Sequence, residues 1–264
     1  MLDRLDPPDR AKLTAAYHAM QFVEDDMRIG LGTGSTAEWL VRLLGARSYL
    51  EGLRVVAVST SERTEALARS VGLRTATLEE AGWLDLTIDG ADEVDPVLSL
   101  IKGGGGSLLR EKIVAAASER MVVIADDGKR VDTLGAFPLP VEVVRFGWTA
   151  TRKLIEDVLS STDLDGSTIS PRMKDGARFV TDEGHYILDL HLEYIDDVDS
   201  LAPRLLAVPG VVETGLFIDI ADTAVFGFAS GEVHELGADG ETRRLDPPQD
   251  ERMQRILAQL DIRG

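Results

Sequence analysis

Short apolar runs alternate with helical patterns through the first half of the chain, and this alternation narrows the possible folds more than any other feature. "MRIGLG" (27–32), "LRVVAVS" (53–59), "WLDLTIDG" (83–90) and "RMVVIAD" (120–126) read as strands. Between them "STAEWLVRLLGA", "SERTEALARSVG" (61–72) and "SLLREKIVAAAS" (107–118) read as helices. Strands alternating with helices of about 10–15 residues imply βαβ units. The expected class is α/β, with a Rossmann-like, mostly parallel sheet and helices on both faces. In such sheets the functional loops lie at the carboxyl ends of the strands.

The pattern changes near "LGAFPLPVEVV" (134–144), where two closely spaced prolines mark a boundary. A helix follows in "WTATRKLIEDVL" (148–159), then a hairpin in "ARFVTDEGHYILDLHL" (177–192), a helix and turn in "SLAPRLLAVPGV" (200–211), and a strand in "VVETGLFI". This order predicts a smaller ferredoxin-like α+β domain. "TAVFGFASGEVHEL" reads as strand material returning to the larger sheet. The expected division is 1–140 with 212–236 for the large domain, 141–211 for the small one, and a helix-bearing C-terminal extension over 237–264. "DPPDR" (6–10) and "DPPQDER" (246–252) each place proline just after an aspartate, a helix-start signal. The first helix carries Leu13, Ala16, Tyr17 and Met20 on one face, and the last carries Met253, Ile256, Leu257 and Leu260. Those spacings mean buried faces.

Four segments fall where loops should leave strands. "GLGTGSTAEWL" (30–40) allows a tight turn into a helix start, where backbone N–H groups attract an anion. It departs from a dinucleotide fingerprint, because serine stands at 35 and no acid ends the second strand. A phosphate cradle remains. Ser35-x-x-Glu38 has the form of a capping box, which makes Glu38 structural. "TIDGADEVDP" (87–96) crowds Asp89, Asp92, Glu93 and Asp95 at a strand end. A solvated acidic loop, a divalent-metal site and acid–base or hydroxyl-binding carboxylates all fit that spacing. "IKGGGGSLLREK" (101–112) places Lys102 before four glycines, with Ser107 as the expected N-cap. Four glycines in a row suggest a backbone that something must approach closely. A capping box would need Glu or Gln at 110, where arginine stands, so the cap does not explain Glu111. Glu111 tilts back toward the loop, as helical side chains do. "ADDGKRVD" (125–132) adds Lys129.

Charge makes the lysines informative. The 264 residues carry a net charge of −18, which repels nucleic acid and anionic lipid, so neither is an expected partner. The excess fits ordinary solubility or adaptation to high salt. There are six lysines against 22 arginines. A phosphorylated metabolite is itself an anion, so cations must concentrate where it binds. Lys102, Lys129 and Lys12 are the candidates for one anionic site. Apolar content is 44%, enough for a core. The absence of cysteine excludes disulfides and points to a cytoplasmic location. No signal sequence or apolar run long enough for a membrane span is expected.

Taken together, "GLGTGSTA", "DGADEVD", "KGGGGSLLREKI", "ADDGKRVD", "LGAFPLPVEV", "VTDEGHYILDLH" and "PGVVETGLF" resemble type A ribose-5-phosphate isomerase in order and spacing, from about Lys12 to Gly231. The tail from Glu232 is longer than the family leads one to expect. The resemblance implies interconversion of D-ribose 5-phosphate and D-ribulose 5-phosphate through an enediolate, with no metal or organic cofactor. By position, Glu111 is then the base between C2 and C1. Asp89 and Asp92 contact sugar hydroxyls and assist ring opening, and Lys102 stands beside the developing oxyanion. Thr33, Gly34, Ser35, Thr36 and Lys129 contact phosphate, with Lys12 a third cation. Gly90, Ala91, Gly103, Gly104 and Gly105 line the substrate. A homodimer or homotetramer is implied. The four histidines, His18, His185, His191 and His234, lie outside these loops and read as structural. The rivals are another phosphosugar enzyme of the same fold group, deaminase-like or an acyl-CoA transferase, and a non-enzymatic phosphosugar sensor. The Lys102–Glu111 spacing and "DGADE" speak against the first. The second would need an effector module for which the length leaves no obvious room.

Overall fold

Apolar strand residues pair in parallel here because each has a helix to cover it. A computed structural model describes residues 5–162, 164, 167–245 and 251–263. The described chain forms two compact units and crosses between them after residues 90, 112, 130 and 219.

The first unit comprises 1–90, 113–130 and 220–264. Its eight-stranded sheet runs, edge to edge, through Thr242–Leu245, Val233–Gly237, Thr223–Gly227, Met121–Asp126, Leu86–Gly90, Arg28–Leu31, Val56–Ser59 and Arg74–Thr75. The last six of these strands are mutually parallel, and the first two add antiparallel. Counted along the chain, the parallel strands lie in the order 3-2-1-4-5-6, the doubly wound arrangement. The order reverses between Arg28–Leu31 and Leu86–Gly90, and ligands bind outside the carboxyl ends at such a switch point. One face is covered by Pro7–Ala19, Ser35–Glu51 and the C-terminal helix through Leu13, Leu40, Leu44 and Ile256. Val114 packs with Val58 and Leu84 in a separate cluster. Asp6 caps the first helix by accepting from the Asp9 N–H at 2.9 Å. The second proline signal, at 246–250, lies outside the described residues.

The second unit comprises 91–112 and 131–219. Its four-stranded antiparallel sheet has the order Val211–Thr214, Leu139–Val143, Tyr186–His191, Thr168–Pro171, backed by helices Trp148–Leu159 and Val198–Leu206. This is the β-α-β-β-α-β order 4-1-3-2 of a ferredoxin-like unit. A three-stranded sheet of Glu93–Val94, Leu100–Ile101 and Leu216–Phe217 completes it.

Four expectations need correction. Residues 91–112, 131–140 and 212–219 group with the second unit, because two short strands in the first of these pair with each other and with Leu216–Phe217, and Leu139–Val143 pairs with Val211–Thr214. Residues 237–245 extend the large sheet and the last helix packs on Ser35–Glu51, so the tail is no separate extension. The hairpin placed at 177–192 is two pairings. Ala177–Arg178 pairs with Met173–Lys174, while Tyr186–His191 pairs with Thr168–Pro171. Likewise "VVETGLFI" breaks at Gly215 into strands of two sheets, because Gly215 abuts the Lys102 carbonyl with no room for a side chain.

Candidate active site

In the first unit the switch-point loops are tied together by one carboxylate. Asp89 is fully buried, and its Oδ1 accepts from the Thr33 N–H at 3.0 Å and from the Gly90 N–H at 2.7 Å. A Cβ at Gly32 would overlap that carboxylate, so glycine is required there by contact. The Thr33 hydroxyl sits among Thr60 Oγ1 (2.8 Å), Ser61 Oγ (2.8 Å) and Thr64 Oγ1 (3.3 Å), and Thr64 donates to the Gly32 carbonyl at 3.0 Å. Thr60, Ser61 and Thr64 were not singled out from the sequence. The signal was present in "STSERT", a hydroxyl cluster at a strand's carboxyl end.

Helix Ser35–Glu51 begins one residue earlier than a capping box would allow. Gly34 occupies the cap with φ 118°, and no side chain caps the helix. Ser35 is the first helical residue and is exposed, while Thr36 is buried. Glu38 pairs with Arg63, so it is structural for a different reason from the one expected. The N–H groups of this helix start face outward from a long helix whose dipole favours an anion. Lys129, half-buried, ends the short 3₁₀ turn Asp127–Lys129 after the Met121–Asp126 strand. Lys12 lies on the first helix, 3.4 Å from Asp9.

In the second unit the four glycines form a turn. The Gly106 N–H donates to the Gly103 carbonyl at 3.0 Å. Gly103 and Gly106 both have positive φ, 106° and 86°, which disfavours any other residue. A side chain at Gly106 would also strike the Phe179 ring, and one at Gly104 would strike Asp92. Gly104 and Gly105 stand exposed at the apex. Half-buried Asp92 accepts from the Gly104 N–H at 2.7 Å through Oδ2, and Ala91 precedes it, also half-buried.

Lys102 and Glu111 bracket this turn, and each is 2% exposed. Lys102 Nζ lies 3.3 Å from Glu111 Oε2 and 5.4 Å from the centre of the Phe217 ring. The Lys102 N–H donates to Gly215 O at 2.9 Å, and the Glu111 N–H donates to Ser107 O at 2.9 Å, which puts Ser107 at the cap position. Next to Glu111, Lys112 anchors the helix start. Its ammonium donates to Glu213 Oε1 (2.7 Å), Thr214 O (2.8 Å) and Leu216 O (2.7 Å), although burial pushes its pKa down.

The four acids of "TIDGADEVDP" divide by role. Glu93 accepts from the Gly135 and Phe137 N–H groups at 2.7 and 2.6 Å, and Asp95 from those of Val97 and Ser99 at 2.9 and 2.8 Å. Both carboxylates are spent on loop backbone. Among the described residues no three His, Asp or Glu side chains converge as a metal site would require. The histidines are each held by a structural partner: His18 by Glu235, His185 by Glu142, His191 by Ser170 and His234 by Glu232. Among the described residues, no helix is long and apolar enough to cross a membrane.

A family model for ribose 5-phosphate isomerase A (phosphoriboisomerase A) matches residues 56–231. The chain is 59% identical to a ribose-5-phosphate isomerase A of Ruegeria pomeroyi, over 88% of this chain and 89% of that one. A solved D-ribose-5-phosphate isomerase in complex with phospho-erythronic acid superposes with a TM-score of 0.81 at 37% identity, covering 88% of this chain and all of that one. The isomerase A of Methanocaldococcus jannaschii gives a TM-score of 0.78 at 37% identity, over 86% and 97% of the two chains. With that match spanning well over half its length, and with its switch-point loop, glycine turn and lysine–glutamate pair where the motifs lie, the chain belongs to the ribose 5-phosphate isomerase A family.

Proposed function

We propose that the chain interconverts D-ribose 5-phosphate and D-ribulose 5-phosphate, with Glu111 moving one proton between C2 and C1. The observation that carries this reading is the Lys102–Glu111 pair, buried at 3.3 Å beside a glycine turn. A proton next to a carbonyl is weakly acidic, so its removal needs a base and a cation for the oxygen that becomes negative. Burial strengthens both effects. On the open-chain aldose, the Glu111 carboxylate takes the C2 proton and electron density moves to O1, where Lys102 stabilises it. The hydroxyl proton passes from O2 to O1, and Glu111 returns its own proton to C1, giving the ketose. Asp92, half exposed at the turn, is the carboxylate suited to sugar hydroxyls. Asp89 is fully buried, so we assign it to fixing the Thr33 loop rather than to direct proton transfer. The start of helix Ser35–Glu51, with Lys129, takes the phosphate. Lys12 is the weakest of the cation candidates, because Asp9 already pairs with it.

A related structure is described as binding phospho-erythronic acid. A planar carboxylate shares the shape and charge of an enediolate, and the same acid should inhibit this chain competitively. The chain is further expected to act without a metal, in the cytoplasm, as a homodimer or homotetramer. The test is conversion of ribose 5-phosphate to ribulose 5-phosphate with EDTA present, in the parent and in Glu111→Gln. The variant should lose about 10²–10⁴ in kcat. Parental turnover in the variant removes Glu111 from the mechanism, and EDTA inactivation reversed by Mg²⁺ restores a metal reading of the aspartates.

A further inference from the structure

Four consecutive glycines give a turn the freedom to hold its peptide planes in many orientations. A site that relies on those peptides needs something else to choose one. Arg172 is placed to do so. It follows the Thr168–Pro171 strand, and its own backbone N–H donates to Ile187 O at 2.9 Å. Its Nη1 donates to Gly103 O at 2.5 Å and to Gly104 O at 3.2 Å. The other side of the guanidinium is gripped by Asp189, which accepts from Nε at 3.0 Å and from Nη2. The two side chains are 15% and 16% exposed. A planar fork with a carboxylate on one edge and two carbonyls on the other has little freedom left. The same short hairpin sets Phe179 against Gly106, and the Phe179 N–H donates to Arg172 O at 2.9 Å.

The consequence follows from peptide geometry. In a trans peptide the C=O and the following N–H point in opposite directions, and no cis bond occurs among the described residues. Drawing the Gly103 and Gly104 carbonyls to one guanidinium therefore turns the N–H groups of Gly104 and Gly105 away from it. The first of these reaches Asp92 at 2.7 Å, as this geometry requires. We propose that Arg172, held by Asp189, is a positioning residue for the isomerisation, fixing the glycine turn so that the Gly104 N–H holds Asp92 and the next N–H, that of Gly105, meets a sugar oxygen as charge develops on it. The inference rests on the reading that the turn from Lys102 to Gly105 lines the sugar. Arg172 never touches substrate in this account, and it acts through the backbone.

The experiment compares Arg172→Ala, Arg172→Lys and Asp189→Asn with the parent for kcat, KM and unfolding midpoint, and adds methylguanidinium to Arg172→Ala. Arg172→Ala should lose kcat on the order of 10–100-fold, less than removal of an oxyanion donor itself, with KM moving less than roughly threefold. Methylguanidinium should restore part of the loss. Asp189→Asn should lose kcat in the same direction. Arg172→Lys keeps the charge but cannot bridge a carboxylate and two carbonyls, so it should keep the parental midpoint and still lose kcat about fivefold or more. If Arg172→Ala does not fold, Arg172→Lys decides. Parental kcat in a folded Arg172 variant, a loss confined to KM, or a loss in Arg172→Ala that methylguanidinium does not relieve overturns the proposal. Glu111→Gln separates the two readings. Full activity there sinks the site assignment, whereas its inactivity beside active Arg172 variants sinks the clamp alone.

Discussion

Replacing Lys102 by methionine tests whether the buried pair is both a structural and a chemical unit. The ammonium and the Glu111 carboxylate lie 3.3 Å apart, each side chain almost wholly out of water. Removing one partner leaves the other's charge buried without it, which typically costs about 3–5 kcal/mol. That is roughly two to four powers of ten in the folding equilibrium. For a chain of this size it lowers the unfolding midpoint by roughly 6–20 °C. Glu111→Gln should cost less, because the amide oxygen still accepts from the ammonium. The double variant Lys102→Met/Glu111→Gln buries no charge at the site, so it should recover about 2 kcal/mol or more relative to Lys102→Met. Activity should behave in the opposite way. Both single variants and the double should lose about 10²-fold or more in kcat, since neutralising the pair restores packing but neither the base nor the cation. The assay is urea unfolding followed by secondary-structure signal, with isomerase turnover measured on the same samples. A double variant less stable than Lys102→Met refutes the direct pairing, and parental turnover in the double variant refutes the chemical assignment.

Two further outcomes are expected. Lys129→Ala should raise KM for ribose 5-phosphate by about 10–100-fold, the loss of one charged hydrogen bond, with kcat little changed; an unchanged KM in steady-state assays removes Lys129 from the phosphate site. Glu142 lies buried in the small sheet, with Thr181 and His185 each 2.9 Å from its Oε1, and burial pushes its carboxyl pKa up from 4.5, with Glu183 adding to that and Thr181 and His185 opposing it. A raised carboxyl pKa contributes stability that is complete below the unfolded value and lost as pH rises through the folded one. Glu142→Gln should therefore gain on the parent as pH increases from about 4 to 8; unfolding midpoints that diverge the other way refute the burial argument.

The parallel sheet was legible because its signal is local. Strands buried on both faces must be apolar along their length, and helices between them must carry one apolar stripe. Each strand of the first half accordingly appears within a few residues of its expected position. The second half was read in the right order but with wrong pairings. Met173–Lys174 and Ala177–Arg178 are two residues each, too short for any periodicity to show. The capping box at Ser35–Glu38 failed for a related reason. Its residue types suit a cap, but Gly34 takes the cap conformation and Arg63, from another helix, takes the glutamate.

Residue chemistry and order along the chain marked which loops to examine. A run of four glycines, a glutamate the capping rules leave over, and scarce lysines in strand-exit loops point to an anion held against bare backbone, and only the family resemblance implies that it carries a carbonyl. Those three features are properties of side-chain type and spacing, which a sequence states outright. The tertiary structure decided what each of the four carboxylates holds: Glu93 and Asp95 accept from backbone N–H groups of loops, Asp89 from those of Thr33 and Gly90, and Asp92 from that of Gly104. It also brought Arg172, 68 and 69 residues away from the two carbonyls it holds, onto the glycine turn. No local rule could place that contact, because it depends on strand register and on Asp189 aiming the guanidinium. Glycine frees a backbone, but only a long-range partner can choose the conformation it keeps.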